Sequence, residues 1–298
     1  MSRVTLAGLL LAILIIVLAA GAPLVAPLDP TAQDAGHRLT APDAAHLLGR
    51  DTFGRDIFAR VLYAGRISLT VGIGAVALGA ALGTSLGLLA GYAGRWIESL
   101  FMRAVDLLMA FPSLLLGLVV LALLGAGLDK MVLSIGIVLA PPFARIVHSA
   151  TLSLTQREFV QAARGLGAGH ARIVVRHVAP NVIGETLVLA GVLTASAIRI
   201  EASLSFIGLG VSPPTPTWGN MIRDGTPVLL NAPWLAVAPG VAILISVLAF
   251  NLVGDGLRDL LDPRLRRPKP RRAPARISPA ATSRRRTAAA SNELRTSA

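Results

Sequence analysis

Two runs, residues 4–22 and 234–253, contain no charged side chain, and each is long enough to cross the hydrocarbon core of a bilayer as a helix. Such runs constrain the fold severely, because the core of a bilayer offers no water to pair with backbone groups that a helix would leave open. Four further apolar stretches, at about 67–92, 104–124, 131–154 and 185–209, have comparable length and helical period. The reading is an all-α polytopic membrane protein with six transmembrane helices. The first run follows a single Arg3 and ends in Ala20-Gly21-Ala22, which also fits a signal-peptide cleavage site; its length favours an uncleaved helix.

The pattern divides the chain into an N-terminal helix with an extracytoplasmic segment (1–65), a bundle of the other five spans (66–257) and a basic tail (258–298). Six spans put both termini on one side, and Arg and Lys choose that side. It receives Arg3, Arg95, Arg103, the five arginines between 145 and 176 and the 12 basic residues of the tail, against seven basic residues on the other side. Both termini are therefore expected in the cytoplasm, beneath an inner or plasma membrane. The tail also explains most of the net charge of +12, since it holds only 3 acidic residues. Rich in Pro, Arg, Ala and Ser without an apolar period, it is expected to be disordered, a solvated anchor rather than a binder of anionic lipid or nucleic acid.

Several chemistries lack their residues. A P-loop needs a Lys preceded by glycines and followed by Ser or Thr, whereas Lys130 precedes Met and Lys269 precedes Pro. The chain has no cysteine, and its five histidines show no metal-ligand spacing. Ser203 and Ser205 share a span with Arg199 and Glu201 but with no histidine, so no hydrolase is expected. An enzyme, a cofactor site and a metal site are all disfavoured. An ion-coupled secondary transporter is the rival reading; it calls for inverted repeats with coupling carboxylates at midplane, and no such halves are found.

Within the spans, Gly79, Gly83, Gly87 and Gly91 recur every four residues and form a ridge that another helix backbone can approach. Arg103 and Asp106 stand one turn apart at the start of the third run and are read as an ion pair or cap, with a kink at Phe111-Pro112. Arg199 and Glu201 interrupt the fifth run but are two residues apart and do not share a face. Charges inside spans are costly and commonly face a cavity or a partner. Asp106, Arg199, Glu201 and Ser203 are accordingly candidates for a pathway or subunit interface, with a packing role for Glu201 equally open. Residues 212–234, with Trp218, Met221 and Trp234, read as an interfacial belt or a contact surface.

Residues 158–181 are polar between two apolar runs. Val160, Ala163 and Gly167 fall at helical spacing, as do Ile173, Val174 and His177, with Arg157, Arg164, Arg172 and Arg176 between them. The pattern is two short amphipathic helices around a glycine turn. Taken alone, it fits a helix pair lying on the bilayer as well as a surface for a soluble partner.

Gln161-Ala162-Ala163, then Gly167 and Pro180, resembles the Glu-Ala-Ala loop of binding-protein-dependent ABC importer permeases. The resemblance extends through residues 54–60, 65–69, 90–92, Met102-Arg103 with Asp106, 110–112, 201–210, 218–219, 232–234 and 250–259. It is nearest to the second permease subunit of dipeptide, oligopeptide and nickel systems. It departs from the family pattern at Gln161, where Glu is usual, at Ala179 before the proline, and at Leu47 and Arg50. The resemblance implies a type I ABC importer transmembrane domain working with a second permease, two P-loop ATPase subunits and an extracytoplasmic solute-binding protein. It also implies that residues 158–181 are the loop that docks on the ATPase, with Gln161, Ala162, Ala163, Gly165, Gly167, Ala168 and Pro180 at the contact. Peptide is the expected cargo, with nickel or other small solutes as alternatives.

Overall fold

The computed structural model describes residues 3–261, and among these the chain is almost wholly helical, with a single β-bridge between Arg50 and Asp56. In chain order the helices are α1 (Arg3–Ala20), α2 (Ala22–Val25), α3 (Ile57–Tyr92), α4 (Arg95–Met109), α5 (Ser113–Leu124), α6 (Leu128–Thr155), α7 (Glu158–Gly165), α8 (His170–Ile173), α9 (Ala179–Ile207), α10 (Trp218–Gly225) and α11 (Trp234–Leu261). Five stretches are long and apolar enough to cross a membrane: α1, α3, α6, the continuous rod His170–Ile207 and α11. α11 runs through Leu261, so residues 258–261 of the stretch expected to be a disordered tail are helical; residues 262–298 lie outside the described part.

The third span is corrected from one kinked helix to two. α4 and α5 meet at 99° around Ala110, Phe111 and Pro112, and only as a pair do they supply the sixth crossing. Proline has no N–H to donate and disfavours helical geometry at the residue before it. Here Pro112 takes extended backbone angles and starts a new helix. Other boundaries shift outward, because hydropathy sees only the lipid-facing part of a helix. α3 begins ten residues before the apolar run, where the Asp56 carboxylate accepts from Ala59 N at 2.7 Å and caps the helix.

Glycine sets how the bundle packs. A Cβ on Gly87 would lie 2.6 Å from the Ala144 carbonyl oxygen, one on Gly91 2.7 Å from Thr151 Cβ, and one on Gly79 3.0 Å from the Gly136 carbonyl. Gly83 is tighter still against Ala140 and Phe143, so the whole ridge lies against the α6 backbone. Gly191 and Gly254 bring α9 and α11 together in the same way, and Gly8 sets α1 against Leu252 of α11.

Two cores fill the bundle, one around Leu69, Ile198, Trp218, Leu235 and Phe250, the other around Val71, Leu121, Ile135, Phe143 and Leu204. Trp218 and Met221 are therefore buried, 2% and 5% exposed, and do not form the interfacial belt read from their sequence. α10 carries a reciprocal cap between Thr217 and Asn220, and Trp218 Nε1 donates to the Val61 carbonyl at 3.0 Å, which pins this short helix to α3.

The segment between α2 and α3 is held by charge. Asp51 accepts from Arg55 Nε at 2.6 Å and faces Arg60 Nε at 3.5 Å, all three side chains nearly buried. His46 Nδ1 is 2.8 Å from Asp56, and Arg50 bridges His46 to Asp34. Pairing satisfies charges that burial would otherwise penalise. The stretch Gly54 to Arg60, which resembles a family motif, is in this structure an ion-paired cap on α3.

Candidate functional site

The segment 158–181 projects from the ends of α3 and α6. α7 ends in a glycine turn: Gly167 has φ of 80°, a left-handed angle that favours glycine, and Ala168 N reaches back to the Ala163 carbonyl at 3.1 Å. The second helix of the segment is not separate. α8 passes through one π-type turn, Val174–Val178, into α9, so that the rod from His170 to Ile207 is continuous. Pro180 sits exposed where the π turn passes into α9, and with no N–H to donate it interrupts the α-helical ladder at that point.

Val160, Ile173 and Val178 are fully buried with Val147 and Val182 in a third small core, and Leu88, Tyr92 and Leu154 pack around it. The segment is thus seated on the bundle, not loose. Two polar ties reinforce the seat. Gln161 Nε2 donates to the Thr155 carbonyl at 2.8 Å. That carbonyl belongs to the last turn of α6, where no intrahelical partner remains. Tyr92 Oη is 3.0 Å from His170 Nδ1, and the Tyr92 ring lies edge-on to His170 and under Arg164. Neither tie has a local sequence signal, since their partners come from different helices.

The opposite face of the segment is open. Leu166 is 89% exposed at the apex of the turn; Phe159, Gln161, Ala162, Arg164, Gly165 and Gly167 are exposed around it, while Ala163 and Ala168 are half-buried. The segment thus carries an exposed apolar apex, with the exposed Arg164 near it in sequence, on a packed seat.

The span charges are placed differently from their sequence reading. Glu201 is 0% exposed: Oε1 accepts from Ser205 Oγ at 2.7 Å, and Ser68 of α3 interacts with the carboxyl, although neither Oε2 nor Ser68 Oγ reaches hydrogen-bonding geometry. In this conformation it is enclosed at the α3–α9 interior, and Gly219 of α10 packs over the neighbouring Ala202 and Ser205. Arg199 points the other way, exposed and bonded to Ser196 Oγ at 2.9 Å; Ser203 is half-buried. Asp106 pairs with Arg145 of α6, not with Arg103. Beside that pair Glu98 and His148 bond at 3.0 Å, and an open cleft lies between α4 and α6. Among the described residues no group of three potential metal ligands comes together.

Comparison with known proteins agrees with this architecture. The model of the family described as binding-protein-dependent transport system inner membrane component matches residues 83–267. The dipeptide transport system permease protein DppC of Alkalihalophilus pseudofirmus is 41% identical over 265 residues, covering 89% of this chain and 87% of that protein. The glutathione transport system permease proteins GsiD of Pectobacterium atrosepticum and of Escherichia coli O157:H7 are 42% and 44% identical, covering 89% and 86% of this chain and 88% and 85% of theirs.

Proposed function

The chain belongs to the family of binding-protein-dependent transport system inner membrane components, permease subunits of ATP-driven importers, and on that premise we propose that its cargo is peptide. Relatives named for dipeptide and for glutathione both support a small peptide. In this reading a second permease completes the pathway, an extracytoplasmic binding protein delivers the peptide, and two P-loop ATPase subunits hydrolyse ATP. This chain contributes no catalysis and needs no cofactor. The termini and the segment 158–181 face the cytoplasm, as the distribution of Arg and Lys requires.

The observation that carries the mechanism is the continuity of the exposed Leu166 turn with a membrane rod. The turn leads through α8 and the π turn into α9 without a break, and α7 is tied to the end of α6. A push on the segment from the ATPase is thereby delivered to α6 and α9 together. Such rigid-body movement permits access from one side at a time, which a hydrated cargo requires. α9 bears on α3 and on α11 through glycine contacts, surfaces suited to sliding. The contact set in this proposal is Gln161, Ala162, Ala163, Gly165, Leu166, Gly167 and Ala168, with Pro180 at the entry to the rod. The test is ATP-dependent uptake of labelled dipeptide by proteoliposomes holding both permeases and the ATPases, with binding protein inside or outside. Uptake that needs the binding protein and ATP is expected; uptake driven by an ion gradient without ATP overturns the proposal.

A further inference from the structure

The cleft between α4 and α6 holds about 510 Å³ and is lined by Arg95, Glu98, Ser99, Arg103, Asp106 and Arg145, among others. Its depth is what makes its charge informative. α6 has 28 residues and so is about 42 Å long, against a hydrocarbon thickness of about 30 Å. With α6 centred in the bilayer, Arg145 stands about 15 Å from its Thr155 end and about 9 Å inside the hydrocarbon. Yet the Arg145 and Asp106 side chains are 49% and 54% exposed. Facing lipid, two charges at that depth are too costly to keep exposed. The centres of subunit interfaces are depleted of charge, so the cleft is not the middle of a contact with the second permease either. Water and a polar cargo remain.

The unpaired charge in the cleft is positive. Arg145 is committed to Asp106 and His148 to Glu98, but Arg95 and Arg103 have no ion-pair partner among the described residues. The volume exceeds what two small residues fill and falls within the range of ligand sites.

We propose that this cleft is an inner way-station for peptide, taking its C-terminal carboxylate at Arg103. The inference rests on the peptide reading and on the cytoplasmic placement of the α4 and α6 ends. The chain has no cysteine, so Ser99→Cys introduces a single thiol into the cleft. In the assembled importer in nanodiscs without binding protein, an anionic, membrane-impermeant methanethiosulfonate reagent reports on that thiol. Ala-Ala is expected to slow labelling, and its C-terminal amide to need about tenfold higher concentration, the worth of a charge-assisted hydrogen bond. Arg103→Gln should abolish that preference and Arg103→Lys retain part of it. ATP hydrolysis by the assembled Ser99→Cys complex is the folding control, and import of Ala-Ala is measured separately with the natural chain in proteoliposomes with binding protein. Equal labelling with and without Ala-Ala, in a complex that hydrolyses ATP and with Ala-Ala imported by the natural chain, overturns the way-station and leaves the cargo assignment standing. A thiol that no reagent reaches shows the cleft covered by the second permease and overturns it too; absence of Ala-Ala import overturns the cargo assignment and the way-station together.

Discussion

Gln161→Glu changes one side-chain amide to a carboxylate of the same length, and the structure makes the consequence calculable. Gln161 Nε2 donates to the Thr155 carbonyl, and only an N–H can fill that role. The carboxylate loses the bond, about 0.5–1.5 kcal/mol, and stands beside the negative end of α6, about 0.3–1 kcal/mol at an exposed site. Screening by solvent and the favourable N-terminal turn of α7 itself offset part of this. The net loss is about 1–2 kcal/mol in the seating of α7, which corresponds to about a 5–30-fold shift in its local opening equilibrium. Gln161→Ala loses the bond without adding the repulsion and should shift that equilibrium about 2–13-fold. Hydrogen exchange of residues 158–169 in the full complex measures this, read against exchange in the α3–α6 seam as an internal reference. The expected order is Glu fastest, then Ala, then the natural Gln. Exchange in the Glu variant no faster than in the natural chain would refute the idea that this amide holds α7 to α6.

Two further outcomes follow from the packing and the charges. Gly83→Ala should destabilise the bundle by about 1–3 kcal/mol, because the added methyl meets Ala140 and Phe143 in a close-packed seam, whereas Gly165→Ala, with open space around it, should be neutral or slightly stabilising; thermal unfolding in detergent distinguishes them, and equal midpoints contradict the seam. Asp34 is held down at about 2, first by the Arg50 guanidinium and then by His37. Its carboxyl is thus more acidic folded than unfolded, so the tie is complete above about pH 4 and is lost as the pH falls through about 2. Protection of the Gly36 amide, which donates to Asp34 Oδ1 at 3.1 Å, should follow that window, become independent of pH in Asp34→Asn, whose amide oxygen still accepts, and be absent at every pH in Asp34→Ala.

Some of this architecture is written in local pattern and some is not. The uncharged runs marked α1 and α11, and four-residue glycine spacing marked the face of α3 that meets α6, because both signals depend on neighbours along one helix. The 99° break at Pro112 escaped hydropathy, which counts apolar residues and is blind to direction. Asp106 was read with Arg103 because that residue is one turn away, while its partner Arg145 arrives from a helix 39 residues later. Glu201 leaves a pathway and a packing role equally open in the sequence, since a lone acid in a span fits either; its burial depends on Ser205, Ser68 and the fold-back of α10 over α9, none of which a linear pattern shows. Likewise Trp218 resembled an interfacial residue until α10 carried it into the core. In the segment 158–181 the glycine turn was legible, but the run of α8 into α9 was not, because a π turn leaves no distinct composition.

The account stands most directly on the Leu166 apex, which is a better reporter than the half-buried Ala168. Leu166→Cys, the single thiol in this chain, is placed in the intact importer opposite ATPase subunits carrying one cysteine in the surface cleft expected to receive the turn. The account predicts a crosslink that forms in the assembled complex and changes in yield when ATP closes the ATPase pair. No crosslink in an intact, transporting complex, or modification of the Leu166→Cys thiol by an impermeant reagent added outside intact cells, would contradict it.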